Sequence, residues 1–183
     1  MATLQESYDG AEATGWGSLN VDIDGLGQSF EAPNTIEIYS VKFFMNREGG
    51  ATGDATVKLW SHSGTFGTSS VPNTLLATGD AFDVTAVANN GFTLTGMQFY
   101  EILFTGAERY QMQSGTRYVV TIEFAGNNLV IGGDFATPSH AGNGVELAGS
   151  WAAGGYDIPF EVWGEAIAVG GTRPSSLGLL GVG

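Results

Sequence analysis

The sequence predicts an all-β protein, an antiparallel two-sheet sandwich of the jelly-roll type with an extended N-terminal arm and a C-terminal tail. Short apolar stretches alternate with polar residues at a period of two, which is typical of strands with one buried face. Glycine-rich turns separate these stretches, and no helical periodicity interrupts them. The 183 residues include 29 glycines and are 43% hydrophobic, which is enough apolar material for the core of one domain.

The clearest strand lies within residues 111–124. Its predicted buried face consists of Tyr118, Val120, Ile122 and Phe124, and its other face of Val119, Thr121 and Glu123. The turn Ser114-Gly115-Thr116 precedes it, and this Gly-Thr-x-Tyr entry resembles the tyrosine corner of Greek-key sandwiches. We therefore expect Tyr118 to form a hydrogen bond back to the preceding turn.

The N-terminal part of the chain predicts an arm followed by two short strands. Residues 1–15 are polar and rich in glycine, and Trp16 is the first large apolar side chain. Leu19, Val21 and Ile23 alternate as in a strand. Residues 25–27 then predict a turn that leads into a second strand at 28–32.

Residues 35–46 predict a long strand with an irregularity in its middle. Ile36 and Ile38 share one face, whereas Val41, Phe43 and Met45 have the opposite parity. A strand changes face in this way only with an extra residue, so we expect a bulge near Tyr39-Ser40. The following residues 47–54 predict a hairpin loop. Their glycines do not form a phosphate-binding loop, because no Lys-Ser/Thr pair follows them.

The remaining strands are predicted from similar alternation. Residues 55–61 place Val57 and Leu59 inward and Lys58 and Trp60 outward, and residues 62–73 form a long loop. Residues 97–105 are expected to pair with the 111–124 strand across a turn at 106–108. Further short strands are predicted at 74–78, 81–84, 92–94, 129–131, 145–147 and 158–163.

The pattern ends after Ile167, which divides the chain into an arm (1–15), a sandwich domain (16–167) and a Gly/Leu-rich tail (168–183). The tail cannot form a core of its own. We expect the arm and the tail to lie along neighbouring subunits.

Charge and composition exclude several classes of partner. The net charge is −13, and the six basic residues are scattered: Lys42, Arg47, Lys58, Arg109, Arg117 and Arg173. Nucleic acids and anionic membranes attract clustered cations, so neither is an expected partner. The chain has no cysteine, hence no disulfide or thiolate metal site, and no apolar run long enough to span a bilayer. The N-terminus lacks the basic and apolar regions of a signal peptide.

No catalytic constellation or cofactor motif stands out, so we expect a protein that is not an enzyme. His62 and His140, with Asp134, could ligate a metal if their loops met, but loop histidines are more often exposed hydrogen-bonding groups. Asp22 and Asp24 could bind calcium or simply form a solvated strand face. No Gly-x-Ser-x-Gly elbow is present. Nothing singles out a hydrolytic carboxylate pair among Asp54, Asp83, Glu101, Asp134 and Glu146.

Aromatic side chains provide the best candidates for a binding site. Those predicted on loops or outward faces are Trp60, Phe66, Tyr100, Trp151, Tyr156 and Trp163. Trp151 and Tyr156, flanked by Asn143 and Asp157, suit stacking on sugars and bonding to hydroxyls; the alternative is that these aromatics are core or interface anchors. The candidate sugar or partner contacts are Trp60, Phe66, Trp151, Tyr156, Asn143 and Asp157.

Four stretches resemble β-sandwich domains found in bacteriophage structural and tail proteins and in bacterial surface proteins: YSVKFFM, ATVKLWSHSGTFGTSSVPNTLLAT, SGTRYVVTIEF and TPSHAGNGVELAGSW. The resemblance covers about residues 26–165. It implies a surface, adhesion or carbohydrate-binding-like module and transfers no catalytic residue. The segment that begins at Pro174 also resembles the opening of a bacterial C-terminal sorting signal, without its transmembrane helix and terminal basic cluster.

The expected function is therefore that of a virion structural protein, a capsid decoration (cement) or head/tail fibre-associated protein on the virion surface. Its partners would be other virion proteins and copies of itself, with a trimer as the expected assembly. The assembly tail would act through Arg173, Pro174, Leu177, Leu179 and Leu180. The alternative is a carbohydrate-binding or adhesion module of a phage or bacterial surface protein, located at the cell surface or secreted and binding host glycans.

Overall fold

The computed structural model describes residues 1–167 as fourteen strands and three single-turn 3₁₀ helices. The helices are Gly10–Glu12, Val84–Ala86 and Gly106–Glu108. The strands are β1 (Thr3–Tyr8), β2 (Gly15–Leu19), β3 (Gly25–Glu31), β4 (Ile36–Arg47), β5 (Asp54–Ser63), β6 (Val71–Thr78), β7 (Phe82–Asp83), β8 (Gln98–Leu103), β9 (Gln111–Met112), β10 (Arg117–Glu123), β11 (Leu129–Gly133), β12 (Gly144–Ala148), β13 (Ser150–Ala153) and β14 (Phe160–Ala166). Within residues 1–167, no helix has the length and apolar character needed to cross a membrane. The predicted assembly tail lies outside the described residues.

The strands form two antiparallel sheets, which confirms the predicted sandwich. Sheet A has the order β1-β14-β4-β11-β2, with β8 and β9 also paired to β4. Sheet B has the order β13-β12-β3-β10-β5-β6, with β7 also paired to β5. The chain passes repeatedly from one sheet to the other, so each strand places its apolar face in the shared interior.

The main core lies between the sheets and is built from alternate residues of each strand. Phe30, Phe43, Phe104 and Phe160 are its largest fully buried side chains. The predicted inner face of β10 is confirmed, since Tyr118, Val120, Ile122 and Phe124 all belong to this core. Val119 on the opposite face of β10 is also fully buried but lies outside the core cluster.

Two local predictions are confirmed: the tyrosine corner and the bulge in β4. The Gln113 amide donates to the Tyr118 hydroxyl at 2.9 Å, as expected for a tyrosine corner. In β4, Ser40 pairs with Trp163 and Ile38 pairs with Gly164, which leaves Tyr39 as the extra residue of a bulge. Because of this bulge, the buried face changes parity between Ile38 and Val41.

The N-terminal arm was predicted wrongly, because residues 3–8 form an edge strand of the chain's own sheet. β1 pairs with β14 from Thr3 to Tyr8, with an irregularity between Leu4 and Glu6. Tyr8 is buried in the core and donates from its hydroxyl to Asp134 Oδ2 at 2.8 Å. A polar sequence is compatible with this position because an edge strand exposes much of its length to solvent.

The predicted strand at 19–23 and turn at 25–27 are also wrong. Asn20 Oδ1 accepts from the amides of Asp22 and Ile23 at 2.8 and 3.2 Å, so the chain turns here and Val21 is exposed. Residues 25–27 instead begin β3, a central strand of sheet B.

Two predicted hairpins do not form. Residues 47–54 join β4 in sheet A to β5 in sheet B. β8 pairs with β4, whereas β10 pairs with β3 and β5, so the predicted pairing across 106–108 does not form. Strand pairing in a sandwich is non-local, and short loops alone do not identify it.

Sheet B is strongly curled, which makes its outer face concave. Its two edge strands, β13 and β6, approach each other although four strands separate them in the sheet order. The inner face of sheet B packs on the main core and sheet A. The sheet therefore curls over its outer face. This concave face of sheet B buries Val119, Thr121 and Val145.

Candidate functional site: the concave face of sheet B

The floor of the concave face consists of small residues on the two central strands. Gly27 of β3 lies opposite Thr121 of β10. A Cβ atom on Gly27 would lie 2.2 Å from the Val120 carbonyl oxygen and 2.9 Å from Thr121 Cα. Only glycine permits this approach between the two backbones. The floor therefore leaves space for larger side chains from neighbouring strands.

Two tryptophans, which we call the indole pair, occupy this space. Trp60 projects from β5 and Trp151 from β13, and their ring centroids are 6.3 Å apart at an interplanar angle of 66°. The Trp60 indole N–H donates to Thr121 Oγ1 at 3.0 Å, which fixes the orientation of that ring. Both side chains are half-buried, so part of each indole remains accessible to solvent.

A cavity of about 340 Å³ lies at one end of the concave face, next to the indole pair. Its lining residues are Asp24, Asp54, Thr56, Lys58, Glu123, Phe124 and Ala125. Trp151 is adjacent, because its ring and the Glu123 side chain both approach Gly25. Lys58 Nζ lies 5.7 Å from the centroid of the Trp60 ring.

The cavity and the neighbouring indole pair together offer hydrogen-bonding and aromatic surfaces. Lys58 Nζ and Glu123 Oε2 form an ion pair at 2.5 Å, with each side chain about one-fifth to one-quarter exposed. Asp24 and Asp54 are exposed on the rim. Indole faces pack against apolar surfaces, while carboxylate, ammonium and hydroxyl groups accept or donate hydrogen bonds. This combination suits a ligand that has both an apolar face and many hydroxyl groups.

Tyr156, Asn143 and Asp157 meet in a second depression, which we call the loop cleft. It has a volume of about 270 Å³ and lies between residues 67–68, 138–143 and 154–157. Tyr156 packs against Phe135, with ring centroids 5.0 Å apart. Burial raises the pKa of the Tyr156 hydroxyl, and the nearby Glu146 carboxylate adds to this shift, so the group stays protonated.

Asn143 and Asp157 hold the loops together. Asn143 Oδ1 accepts from the Ser70 amide at 3.1 Å, and its Nδ2 donates to the Gly144 carbonyl at 2.7 Å. Asp157 accepts from Gln28 Nε2 and from the His140 amide, each at 2.8 Å. Both residues are almost completely buried. The structure therefore separates the predicted Trp151–Tyr156 site into two places and gives its two polar members a structural role.

Phe66 and the two histidines lie in different surroundings. The Arg117 guanidinium carbon lies 4.6 Å from the Phe66 ring centroid, and the edge of His62 faces that ring. His62 shares a hydrogen bond with Ser70, whereas His140 Nδ1 accepts from the Gly142 amide. In the described part of the chain, no three His, Cys, Asp or Glu side chains come together in a way that could hold a metal.

A buried polar cluster near the loop cleft was missed by the sequence analysis. Asp134 is fully buried and accepts from the Tyr8 hydroxyl, the Thr14 hydroxyl and the amides of Ala136 and Thr137 at 2.8–3.1 Å. These hydrogen bonds, that from Thr137 first, hold the pKa of Asp134 below its ordinary value against the opposing effect of desolvation. The cluster ties β1 to the end of β11 and is part of the fold.

The sequence identified both members of the indole pair but not their surroundings. Lys58, Thr121 and Glu123 were assigned only to outward faces, because alternation does not reveal that a sheet curls over its outer face. No family model, curated protein or solved structure matches this chain.

Proposed function

We propose that this chain is a non-catalytic carbohydrate-binding or adhesion module that binds a glycan on the concave face of sheet B. The observation that carries the proposal is the indole pair beside the cavity. Sugars present apolar faces of C–H groups edged by hydroxyls, and this site offers aromatic rings next to hydrogen-bonding side chains.

The dimensions of the site support a small, elongated ligand. A volume of about 340 Å³ falls at the lower end of the range of ligand pockets, about 300–1,000 Å³. The cavity opens at the end of a concave face, so a short segment of a longer glycan would enter it while the remainder stays in solvent.

The experiment is a glycan array probed with the full chain and with two matched tryptophan variants. Trp151→Ala removes one member of the indole pair, and we expect it to weaken binding about tenfold or more, as for an aromatic anchor. Trp16→Ala removes an exposed tryptophan from the outer face of sheet A and serves as the control. It should keep the affinity of the unmodified protein.

Unfolding temperatures of both variants separate loss of a contact from loss of the fold. An array without hits, or hits that Trp151→Ala leaves unchanged in a folded protein, would refute the proposal. Equal losses in Trp151→Ala and Trp16→Ala would place the site elsewhere and count against it as well.

A second candidate is the virion structural role, in which the chain binds sister subunits or capsid and tail components. One surface favours it. Trp16 and Phe92 stack on the outer face of sheet A with centroids 5.0 Å apart and ring planes at 27°, and they are 39% and 43% exposed. Exposed aromatic pairs of this kind are typical of protein interfaces.

The second candidate predicts self-association that depends on this patch. Light scattering of the full chain should give the mass of a trimer or another oligomer, and Trp16→Ala should lower that mass towards the monomer. Trp151→Ala is the control, because it lies on the other sheet. A monomer that also binds no capsid or tail component would exclude this role.

A further inference from the structure

We propose that the site on sheet B selects glycans by charge: it accepts neutral sugars and rejects those that carry carboxylate or sulfate groups. This inference rests on the proposed glycan-binding function and adds the class of ligand. The residues that would select by charge are the three acidic residues of the cavity lining, Asp24, Asp54 and Glu123, which we call the acidic rim.

The cavity next to the indole pair has an excess of negative charge. The acidic rim contributes three carboxylates to its lining, and the only basic side chain in that lining is Lys58. Lys58 is held by Glu123 at 2.5 Å, so its charge is already compensated. Two carboxylates, Asp24 and Asp54, therefore remain in excess around the cavity.

The other basic side chains within residues 1–167 lie outside the cavity lining, although Arg47 acts on Asp83, which pairs with Asp54. Three further basic side chains form ion pairs of their own: Lys42 with Glu161, Arg109 with Glu165 and Arg117 with Glu31. Arg47 donates to the carbonyls of Val87 and Gly49. The net charge of the whole chain is −13, so the long-range field has the same sign as the rim.

The same carboxylates suit a neutral sugar. Ionised carboxylates are acceptors only, and each sugar hydroxyl can donate to one of them. A uronate or sulfate offers no donor at its charged group and would place like charges together in a partly desolvated cavity. Such repulsive contacts are one of the ways in which a binding site rejects an unwanted ligand.

The test uses an array of glycans in matched pairs, in which each neutral backbone is compared with its sulfated or uronic-acid counterpart. We expect the neutral member to bind about tenfold more tightly or better at low salt. Raising the ionic strength from about 10 mM to about 500 mM shortens the screening length several-fold and should narrow this difference.

Single-charge variants then identify the responsible residues. Asp54→Asn and Asp24→Asn should each raise the affinity for acidic glycans relative to that for their neutral counterparts, so that the neutral-to-acidic ratio falls. Glu12→Gln removes one exposed carboxylate from the short helix that follows β1 and should have no effect.

The outcomes separate this inference from the proposal on which it rests. If neutral and acidic members of each pair bind equally, or Glu12→Gln acts like Asp54→Asn, the charge selection is wrong and glycan binding stands. If no member of any pair binds, the proposed glycan-binding function is wrong, and the proposed selection of neutral glycans is then wrong as well.

Discussion

Asp134 is a carboxylate that the fold needs in its charged form. It is buried completely, and four donors within 3.1 Å satisfy its two oxygens. Because these donors favour the ionised group, the pKa of Asp134 lies below that of an aspartate in the unfolded chain. Its contribution to stability is therefore present above the unfolded value and is lost as the pH falls through the lowered one.

This gives a prediction for the pH dependence of stability. Asp134→Asn should lower the unfolding temperature at neutral pH, and the difference from the unmodified protein should shrink as the pH falls below about 4, the ordinary aspartate pKa. Thermal unfolding between neutral and strongly acidic pH measures this directly, with Glu12→Gln as a control without effect. A difference that stays constant over the whole range would contradict the assigned role.

Residue type alone did not distinguish ligand-binding groups from structural ones. Asn143 and Asp157 were predicted to contact sugar because polar groups flanked two aromatics in sequence. The structure buries both and uses them to tie loops together. Burial depends on the packing of distant strands, so a local pattern does not contain it. Trp60 and Trp151 stay predicted contacts, chosen because a large aromatic side chain is a candidate anchor wherever it lies.

β3 is the element in which glycine has the clearest structural effect. Residues 25–27 were predicted to form a turn, since paired glycines usually mark one. The structure instead uses Gly27 for a close approach of β3 to the backbone of β10. A glycine in the interior of a strand often marks such a close approach. The sequence would have placed Gly27 within a strand only if apolar and polar residues had alternated on both sides of it.

Gly27→Ala should therefore destabilise the protein. The added methyl group would meet backbone atoms of Val120 and Thr121, which cannot move without shifting the strand, so we expect a loss of about 3 kcal/mol in the free energy of unfolding. Gly155→Ala is the matched control, because a Cβ there meets nothing within 4 Å. Chemical denaturation of both variants measures the difference, and similar stabilities would show that β3 and β10 are not this close.

Alternation within strands was predicted more successfully than pairing between them. The bulge in β4 and the inward faces of β5 and β10 follow from side-chain parity, which is a local property. The partners of β8 and β10 are determined by contacts between residues far apart in sequence. Neither loop interpreted as a hairpin forms one: residues 47–54 connect the two sheets, and residues 106–108 lead from β8 to β9, which both pair with β4.

At the scale of the whole molecule, the two sheets carry different candidate surfaces on their outer faces. Sheet B curls over the indole pair and the adjoining cavity, whereas sheet A exposes the Trp16–Phe92 stack. Because the sandwich core separates them, we expect the proposed glycan binding and the proposed self-association to be disrupted by different substitutions. Fold class was predictable from composition and alternation; the curl of sheet B, which creates the site, was not.

The most direct test of glycan binding on sheet B follows the indole N–H signals of the ¹⁵N-labelled protein by NMR during titration with a neutral oligosaccharide from the array. The chain has four tryptophans, and each gives one such signal. We predict that the signals of Trp60 and Trp151 shift with ligand concentration and saturate together, while those of Trp16 and Trp163 stay in place. Shifts confined to Trp16 or Trp163, or no shift at any indole, would contradict a glycan site on the concave face of sheet B.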